Sequence, residues 1–376
     1  MAALDEPSSA RDAQTHDATQ ATAQRFYVVD FFRGLASVVM LVWHYNGFYW
    51  LTPSAYGNPA LLPLHDVLGV LYAHGNDAVL FFWMLSGFVF ACTYAGKRVS
   101  AWTFAVSRFA RLYPLHFVTL LVAAFVSFAA VAVAGKPTST ANDWFHFLLN
   151  VLFVSGWRPL PFSFNAPIWS VSVEIVIYAA FWCALPILFR WGGAVLLTFV
   201  AVSGAWFFLV SANVFLSVHY FTMCAFLFFS GALVFYIHSA ARRAPIARVV
   251  CGVGLMGAGA WLLANAELRL WGLTALFAGA LTLIAAAEDT IVRRWARPLR
   301  WFGDATYSMY LWHHPLILLT AVIFFGLGLN VEVFASPVVF MSYIAVIIAI
   351  GRVSYLLIEL PAKRAIRRAA GVKRDG

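Results

Sequence analysis

Charged residues are scarce in this chain. They make up 11% of its 376 residues, whereas hydrophobic residues make up 62%. A soluble globular domain carries roughly 25% charged residues, so this composition excludes an ordinary soluble domain. Long polar stretches are also missing, since none exceeds about 30 residues, which is below the usual minimum size of a domain. The composition therefore predicts a polytopic membrane protein with no appended soluble domain.

Cysteine is sparse as well. The four cysteines lie in apolar runs without CxxC or metal-ligand spacing: Cys92, Cys183, Cys224 and Cys251. We expect reduced cysteines that pack among helices, with no disulfide framework and no metal site. The net charge of +9 would suggest nucleic acid for a soluble protein, but the basic residues cluster in short loops between apolar runs. We therefore expect a lipid bilayer as the partner and no nucleic acid.

About ten apolar runs reach the roughly 20 residues that a membrane-spanning helix needs. They lie near 27–48, 75–95, 112–134, 167–189, 193–211, 216–237, 248–265, 270–287, 306–327 and 336–358. The apolar piece at 144–156 is shorter and predicts a re-entrant or interfacial helix. The expected class is an all-α membrane helix bundle over residues 25–362, between a disordered tail (1–24) and a basic tail (363–376).

The basic residues also predict an orientation. If the N-terminus is cytoplasmic, the inside segments contain nearly all lysines and arginines, from Arg11 and Arg25 to the tail 363–374. The outside segments then keep only Lys136, Arg158 and Arg269. This asymmetry follows the positive-inside rule, and an even number of spans places both termini in the cytoplasm.

The first span, VVDFFRGLASVVMLVWHY (residues 28–45), contains two ionisable residues that lipid disfavours, Arg33 and His44. Eleven helical residues separate them by three turns and about 16 Å, so both lie on one face. Asp30 precedes Arg33 by three residues and offers a structural ion pair. His44 has no such local partner, and imidazole is the side chain best suited to proton transfer near neutral pH.

Glu174 lies in IWSVSVEIVIY (residues 168–178), with Ser172 and Tyr178 as nearby polar residues. An unpaired carboxylate in a membrane span is costly. Three outcomes stay open: the carboxylate takes up a proton, pairs with an arginine such as Arg33, or orients a histidine as in the dyads that activate a hydroxyl. A purely structural ion pair is an equally good interpretation.

Arg108 and Arg111 lie three residues apart in SRFARLYPLH (residues 107–116) and share a helix face at the predicted cytoplasmic end. Pro114 would occupy the first turns of that helix, where proline is tolerated. Ordinary snorkelling to the membrane surface explains both arginines. They also suit an anion clamp, because guanidinium groups make bidentate contacts to phosphates such as those of an acyl-CoA.

The segment around YSMYLWHHP (residues 307–315) forms a polar string within another span. Adjacent histidines do not share a helix face, so we expect only one to point into the bundle. We assign His313 to that position, with Ser308 and Tyr310 as hydrogen-bonding support. On the second span, the pair Ser86 and Gly87 predicts a close helix approach in preference to catalysis.

Six segments, taken in order, resemble acyltransferase family 3, integral-membrane O-acyltransferases that modify sugars of bacterial envelope polysaccharides. They are VVDFFRGLASVVMLVWHY, FFWMLSGFVF, RFARLYPLH, IWSVSVEIVIY, YSMYLWHHP and YLLIELPAKR. The resemblance extends from about residue 27 to 368. Ile175 stands where the family commonly has a second acid, so any role of that acid is absent. His116 stands in place of a frequent tyrosine.

The resemblance implies a catalytic histidine at His44, with Arg33 as its companion and Glu174 as a functional acid. Arg108 and Arg111 would meet the acyl donor. It implies transfer of an acyl group, acetyl foremost, from acetyl-CoA to a hydroxyl of an envelope or exopolysaccharide sugar. The donor is a substrate and no cofactor is bound permanently. The resemblance also implies a multi-pass protein of the bacterial inner membrane. Direct transfer and a covalent acyl-histidine both remain open.

Two other functions fit the buried polar residues. A transporter would use the same arginine, histidine and glutamate to relay protons or bind a solute, although the sequence lacks visible repeat symmetry. A non-catalytic scaffold of a polysaccharide-synthesis complex would use them as structural pairs. Formation of an ester product would distinguish an enzyme from a transporter. Loss of that product when His44 is changed would distinguish an enzyme from a scaffold.

Overall fold

The computed structural model of the chain describes residues 25–94, 96–157, 161–210 and 216–372. The predicted tail 1–24, Arg158 and residues 373–376 lie outside these ranges. Within them the chain is built from helices and contains no β-strand, which confirms the predicted all-α class.

The helices are numbered here in chain order. They are α1 (Tyr27–His44), α2 (His65–His74), α3 (Asp77–Tyr94), α4 (Ala101–Ala134), α5 (Trp144–Val151), α6 (Ile168–Trp191), α7 (Gly193–Val210), α8 (Leu216–Ala240), α9 (Pro245–Leu262), α10 (Arg269–Ala287), α11 (Val292–Ala296), α12 (Arg300–Asp304), α13 (Thr306–Gly326), α14 (Pro337–Ser354) and α15 (Leu360–Ala369). The main core is formed by α3, α6 and α8, with parts of α4, α10 and α13 packed around it.

Nine helical segments of the described ranges are long and apolar enough to cross a membrane. A helix satisfies its backbone hydrogen bonds internally, which is what a lipid environment requires. The predicted span at 193–211 corresponds to α7, whose apolar stretch Gly193–Leu209 is slightly shorter than the others. The multi-pass bundle is thus confirmed, and the orientation with cytoplasmic termini remains a prediction.

Helix α4 begins at Ala101, well before the predicted start at 112. Ser100 explains the earlier start, because its side chain caps the helix by accepting a hydrogen bond from the Thr103 N–H at 3.2 Å. Pro114 therefore lies inside the helix, and the prediction that it occupies the first turns is wrong. Because of this cap, α4 begins before Arg108 and Arg111, so the two arginines lie within the helix and do not mark its start.

The apolar piece at 144–156 contains α5, which at 8 residues is too short to cross the hydrocarbon region. Asp143 caps it by accepting a hydrogen bond from the His146 N–H at 2.9 Å. Nε2 of the buried His116 donates to the Asn150 carbonyl oxygen at 2.8 Å, which holds the end of α5 against α4. His116 therefore has an anchoring role.

The last membrane helix continues beyond its predicted end at 358. After α14, one π-helical turn at Tyr355–Glu359 leads directly into α15, which packs against α4. The predicted boundary at 362 falls inside α15, so the first part of the predicted basic tail is helical. Single π-helical turns are frequent at functional sites, and Glu359 closes this one.

Helices α3 and α8 approach each other closely through two glycines. A Cβ added to Gly87 would collide with the Phe228 carbonyl group, and a Cβ added to Gly231 would collide with the Met84 carbonyl group. Small residues permit such backbone contact between membrane helices. The close approach predicted for the Ser86–Gly87 pair is therefore confirmed.

We predict that Gly87→Ala lowers the melting temperature of the purified protein, because the added methyl group overlaps a backbone carbonyl and overpacking costs about 1–3 kcal/mol. Gly257→Ala in α9 is the matched control, since a Cβ there would meet no atom within 4 Å. Alanine is about 1 kcal/mol better than glycine in a helix, so the control should not lose stability. Equal melting temperatures for Gly87→Ala and wild type would contradict the close packing of α3 and α8.

Candidate active site

Two neighbouring cavities in the described part of the chain contain most of the predicted site residues. The arginine cavity, about 150 Å³, is lined by apolar side chains together with polar ones, among them Arg33, Ser86, Arg108, Arg111, Glu174 and Tyr178. The histidine cavity, about 790 Å³, is lined by His44 and His314, by several aromatic residues and, at its mouth, by Asp77 and Arg269. Val79 and Tyr310 line both cavities, so the two meet at these side chains.

His44 is the last residue of α1 and lines the histidine cavity. Its Nδ1 atom lies 3.1 Å from the carbonyl oxygen of Met40, one turn earlier. A carbonyl oxygen only accepts hydrogen bonds, so Nδ1 carries the hydrogen and Nε2 keeps its lone pair. The fold therefore fixes the tautomer that a general base requires.

Both histidines of the adjacent pair contact the ring of His44. The ring centroids of His313 and His314 lie 4.5 Å and 5.9 Å from that of His44. The prediction that only one of them points inward is wrong, because the ring of His44, at the end of α1, contacts both of them. His313 is fully buried, and among the described residues neither of its ring nitrogens has a hydrogen-bond partner.

The predicted hydrogen-bonding support for His313 is not present in the structure. Ser308 instead donates to Glu359 at 3.0 Å. The Tyr310 hydroxyl donates to the Pro167 carbonyl oxygen at 2.6 Å and lies 2.8 Å from the Ser170 hydroxyl. The five-residue step from 308 to 313 turns the two side chains to different faces of α13.

Glu174 is buried in α6 and lines the arginine cavity. Ser86 and Tyr178 offer hydrogen bonds to its carboxylate, and the positive charge of Arg108 attracts that carboxylate. Its Oε1 atom has no hydrogen-bond partner among the described residues. The structure does not bring Glu174 to His44, since the two residues line different cavities and Met40 holds the histidine instead.

Ser172 does not face Glu174. Its hydroxyl accepts a hydrogen bond from the Gly156 N–H at 2.9 Å and donates to the Trp169 carbonyl oxygen at 2.8 Å. Residues two apart lie on different sides of a helix, so the nearness of Ser172 in sequence does not bring it to the carboxylate. Ser86, which the sequence assigned to packing, takes this place beside the carboxylate.

Arg33 is held by two acceptors at the edge of the arginine cavity. One nitrogen lies 2.9 Å from Asp30, which confirms the predicted ion pair, and the same nitrogen donates to the Gly303 carbonyl oxygen at 2.7 Å. Asp30 also binds Arg25 at 2.7 Å. The Nε atom of Arg33 is buried without a partner among the described residues, so this guanidinium retains an unused donor.

Arg108 and Arg111 both line the arginine cavity, but their surroundings differ. The Arg108 guanidinium lies 4.8 Å above the ring of Phe90, a cation–π contact. Arg111 pairs at 3.3 Å with Glu359, whose side chain is 1% exposed. Three guanidinium groups and the buried carboxylate of Glu174 thus line the cavity, and the buried Glu359 is tied to it through Arg111.

Sequence reasoning quoted Glu359 as part of a motif but assigned it no role. The sequence does contain a signal for such a role, because Glu359 is a charged residue at the end of the apolar run YLLIE, shortly before a proline. A buried carboxylate needs a partner, and here Arg111 and Ser308 supply it. Glu359 therefore positions one arginine of the cavity.

A double-mutant cycle tests this pairing. Arg111→Met alone leaves Glu359 as an unpaired buried carboxylate and should lower the melting temperature, since removing one partner of a buried pair costs up to about 3–5 kcal/mol and less where a partner is partly exposed. Adding Glu359→Gln should restore part of that loss, because it removes the unpaired charge. Strictly additive losses in thermal unfolding would contradict the pairing.

The family model for the acyltransferase domain, acyltransferase family 3, matches residues 26–355. Acyltransferase MdmB of Streptomyces mycarofaciens is 39% identical over 111 residues, which cover 28% of this chain and 27% of that protein. Protein 2 in the picA locus of Rhizobium radiobacter is 30% identical over 195 residues, 46% of this chain and 86% of that protein. No solved structure matches the chain significantly.

Proposed function

Because the chain belongs to acyltransferase family 3 and is a multi-pass membrane acyltransferase, we propose that it transfers an acetyl group from acetyl-CoA to a sugar hydroxyl. The acceptor in this proposal is a lipid-linked or envelope polysaccharide, and the site of action is the bacterial cytoplasmic membrane. The observation that carries the proposal is the meeting of the arginine cavity and the histidine cavity at Val79 and Tyr310.

The arginine cavity is the proposed donor site. Arg33, Arg108 and Arg111 line it, and the predicted orientation places it toward the cytoplasm, where acyl-CoA is made. Guanidinium groups bind phosphates through charge-assisted hydrogen bonds. Arg33 and His44 are separated by about 16 Å along α1. The long, thin pantetheine arm of coenzyme A suits this separation between phosphates and thioester.

The histidine cavity is the proposed acceptor site. It is larger, and aromatic residues such as Trp169 and Tyr220 form part of its wall. Flat aromatic faces suit the apolar faces of sugar rings, while Asp77 and Arg269 at the mouth offer polar contacts. In the predicted orientation this cavity opens away from the cytoplasm, toward the side on which envelope glycans are assembled.

In the proposed reaction, Nε2 of His44 takes the proton of the acceptor hydroxyl while the hydroxyl oxygen bonds to the thioester carbon. The carbon–sulfur bond then breaks, and the departing coenzyme A thiolate receives the proton from His44. The Met40 carbonyl stabilises the charged imidazole through the Nδ1 hydrogen bond. The products are a sugar ester and free coenzyme A.

The geometry changes the roles proposed for Arg33 and Glu174. Arg33 lies too far from His44 to neutralise charge at the reacting carbonyl, so we assign it to the donor phosphates. Glu174 lines the arginine cavity together with the three arginines and Tyr310. Its unpartnered Oε1 atom is placed to accept a hydrogen bond from an amide of the pantetheine arm.

The test compares envelope glycans from cells with and without the chain, scoring alkali-labile O-acyl groups. We expect such esters only when the chain is present, and their amount should follow the supply of acetyl-CoA. Transport of a solute into vesicles with no new ester would favour the transporter instead. Unchanged esters without any transport would favour the scaffold.

A further inference from the structure

We propose that Tyr310 is the wall between the donor and acceptor cavities and that its side chain limits the length of the transferred acyl group. This inference rests on the proposed function, since it concerns how that donor reaches His44. Tyr310 belongs to α13 and lines both cavities.

The side chain is held across the space between α13 and α6. Its hydroxyl donates to the Pro167 carbonyl oxygen at 2.6 Å and lies 2.8 Å from the Ser170 hydroxyl. The ring is 8% exposed and is therefore almost wholly enclosed. Two hydrogen bonds at its far end fix the ring as a partition, because moving it leaves a buried hydroxyl and a carbonyl unpaired.

The same ring is in contact with the histidines. The ring centroids of Tyr310 and His313 are 5.7 Å apart, and His313 in turn touches His44. A thioester carbonyl that reaches His44 from the arginine cavity must therefore pass beside Tyr310. The acyl chain attached to it has to fit next to the ring.

The donor side of the wall has less space for an acyl group than the acceptor side. The arginine cavity offers about 150 Å³ and the histidine cavity about 790 Å³. A short acyl group fits beside the tyrosine ring, whereas each further methylene meets the ring or the neighbouring Val79. The wall thus selects short acyl groups by steric exclusion, and a smaller residue at position 310 opens the passage.

The first test measures kcat/KM of the purified full-length protein with acetyl-, butyryl- and hexanoyl-CoA, using glycan from cells that lack the chain as acceptor. Tyr310→Ala should raise the hexanoyl-to-acetyl ratio by at least about tenfold, since a pocket discriminates by roughly 10–200-fold per methylene. Tyr310→Phe keeps the ring and should retain most of the acetyl preference. Tyr343→Ala, which opens a cavity in the packed cluster around Tyr45 and Phe48, is the control and should leave the ratio unchanged. An unchanged ratio in a folded Tyr310→Ala protein would overturn the proposal.

The second test needs no enzymatic activity. In a background with the four native cysteines replaced, Ser86→Cys places a thiol in the arginine cavity. A membrane-impermeant thiol reagent applied from the side of the histidine cavity should label it only when Tyr310 is also changed to alanine. Equal labelling with and without Tyr310 would overturn the wall. Labelling that depends on Tyr310 in a protein that forms no ester would instead retain the wall and refute the proposed function.

Discussion

Replacing His44 with alanine is expected to lower kcat/KM for acyl transfer by about 10²–10⁴-fold, the usual contribution of a general base. The loss should appear in kcat, because His44 lies in the acceptor cavity and does not touch the donor phosphates in our account. Binding of acetyl-CoA to the variant should be unchanged. The measurement is ester formation at equal amounts of folded protein.

His146→Ala is the matched control for this experiment. His146 lies on the short helix α5, pairs with the exposed Asp143 at 2.8 Å and lines neither cavity. Its removal should not change acyl transfer. Full activity in His44→Ala would refute the role of His44 as the base. A parallel loss in both variants would show that the effect is not specific to the active site.

The second large effect is expected on acetyl-CoA binding when Arg108 and Arg111 are both replaced. Arg108→Ala with Arg111→Ala should weaken acetyl-CoA binding by roughly 10²-fold or more, since hydrogen bonds to charged groups are worth about 1.5–3 kcal/mol each. The remaining binding should also depend less on salt, because fewer charges attract the donor. Isothermal titration at two ionic strengths measures both quantities.

Two details make this experiment specific. Arg111→Ala strands the buried Glu359, so the variant should also carry Glu359→Gln to avoid an unpaired carboxylate. Arg190→Ala provides the control, because Arg190 is an exposed arginine at the end of α6 that stacks on Trp191. Wild-type affinity and salt dependence in the arginine-pair variant would exclude these residues from the donor site.

The fold was largely predictable because membrane insertion depends on apolar length, which the sequence displays directly. The close approach at Gly87 was also predictable, since a small residue next to a serine marks a helix contact. The start of α4 was not, because a single cap at Ser100 decided it and the arginines that followed suggested a boundary. Local hydrogen bonds thus moved an element that hydropathy alone had placed.

In the site, too, some contacts could be predicted from the sequence and others could not. The ion pair of Asp30 and Arg33 is a contact within one helix and was predicted correctly. Tyr178, one turn after Glu174 in the same helix, was also named from the sequence. The other partners of Glu174, and those of His44 and Tyr310, lie on other helices or on the backbone, where a single sequence gives no distance. His44 is oriented by a carbonyl of its own helix, and every residue has such a carbonyl, so nothing in the sequence distinguished Met40 from Glu174 as its partner.

Transfer across a sealed membrane tests the central claim most directly. Purified protein in vesicles receives isotopically labelled acetyl-CoA on one side and acceptor glycan on the other, and label is measured in alkali-labile esters of the glycan. With wild-type protein we predict labelled ester only when the donor is supplied on one particular side of the membrane and the acceptor on the other. With His44→Ala we predict no labelled ester above background. Equal labelled ester from wild type and His44→Ala, or none from either although both bind acetyl-CoA, would contradict the account.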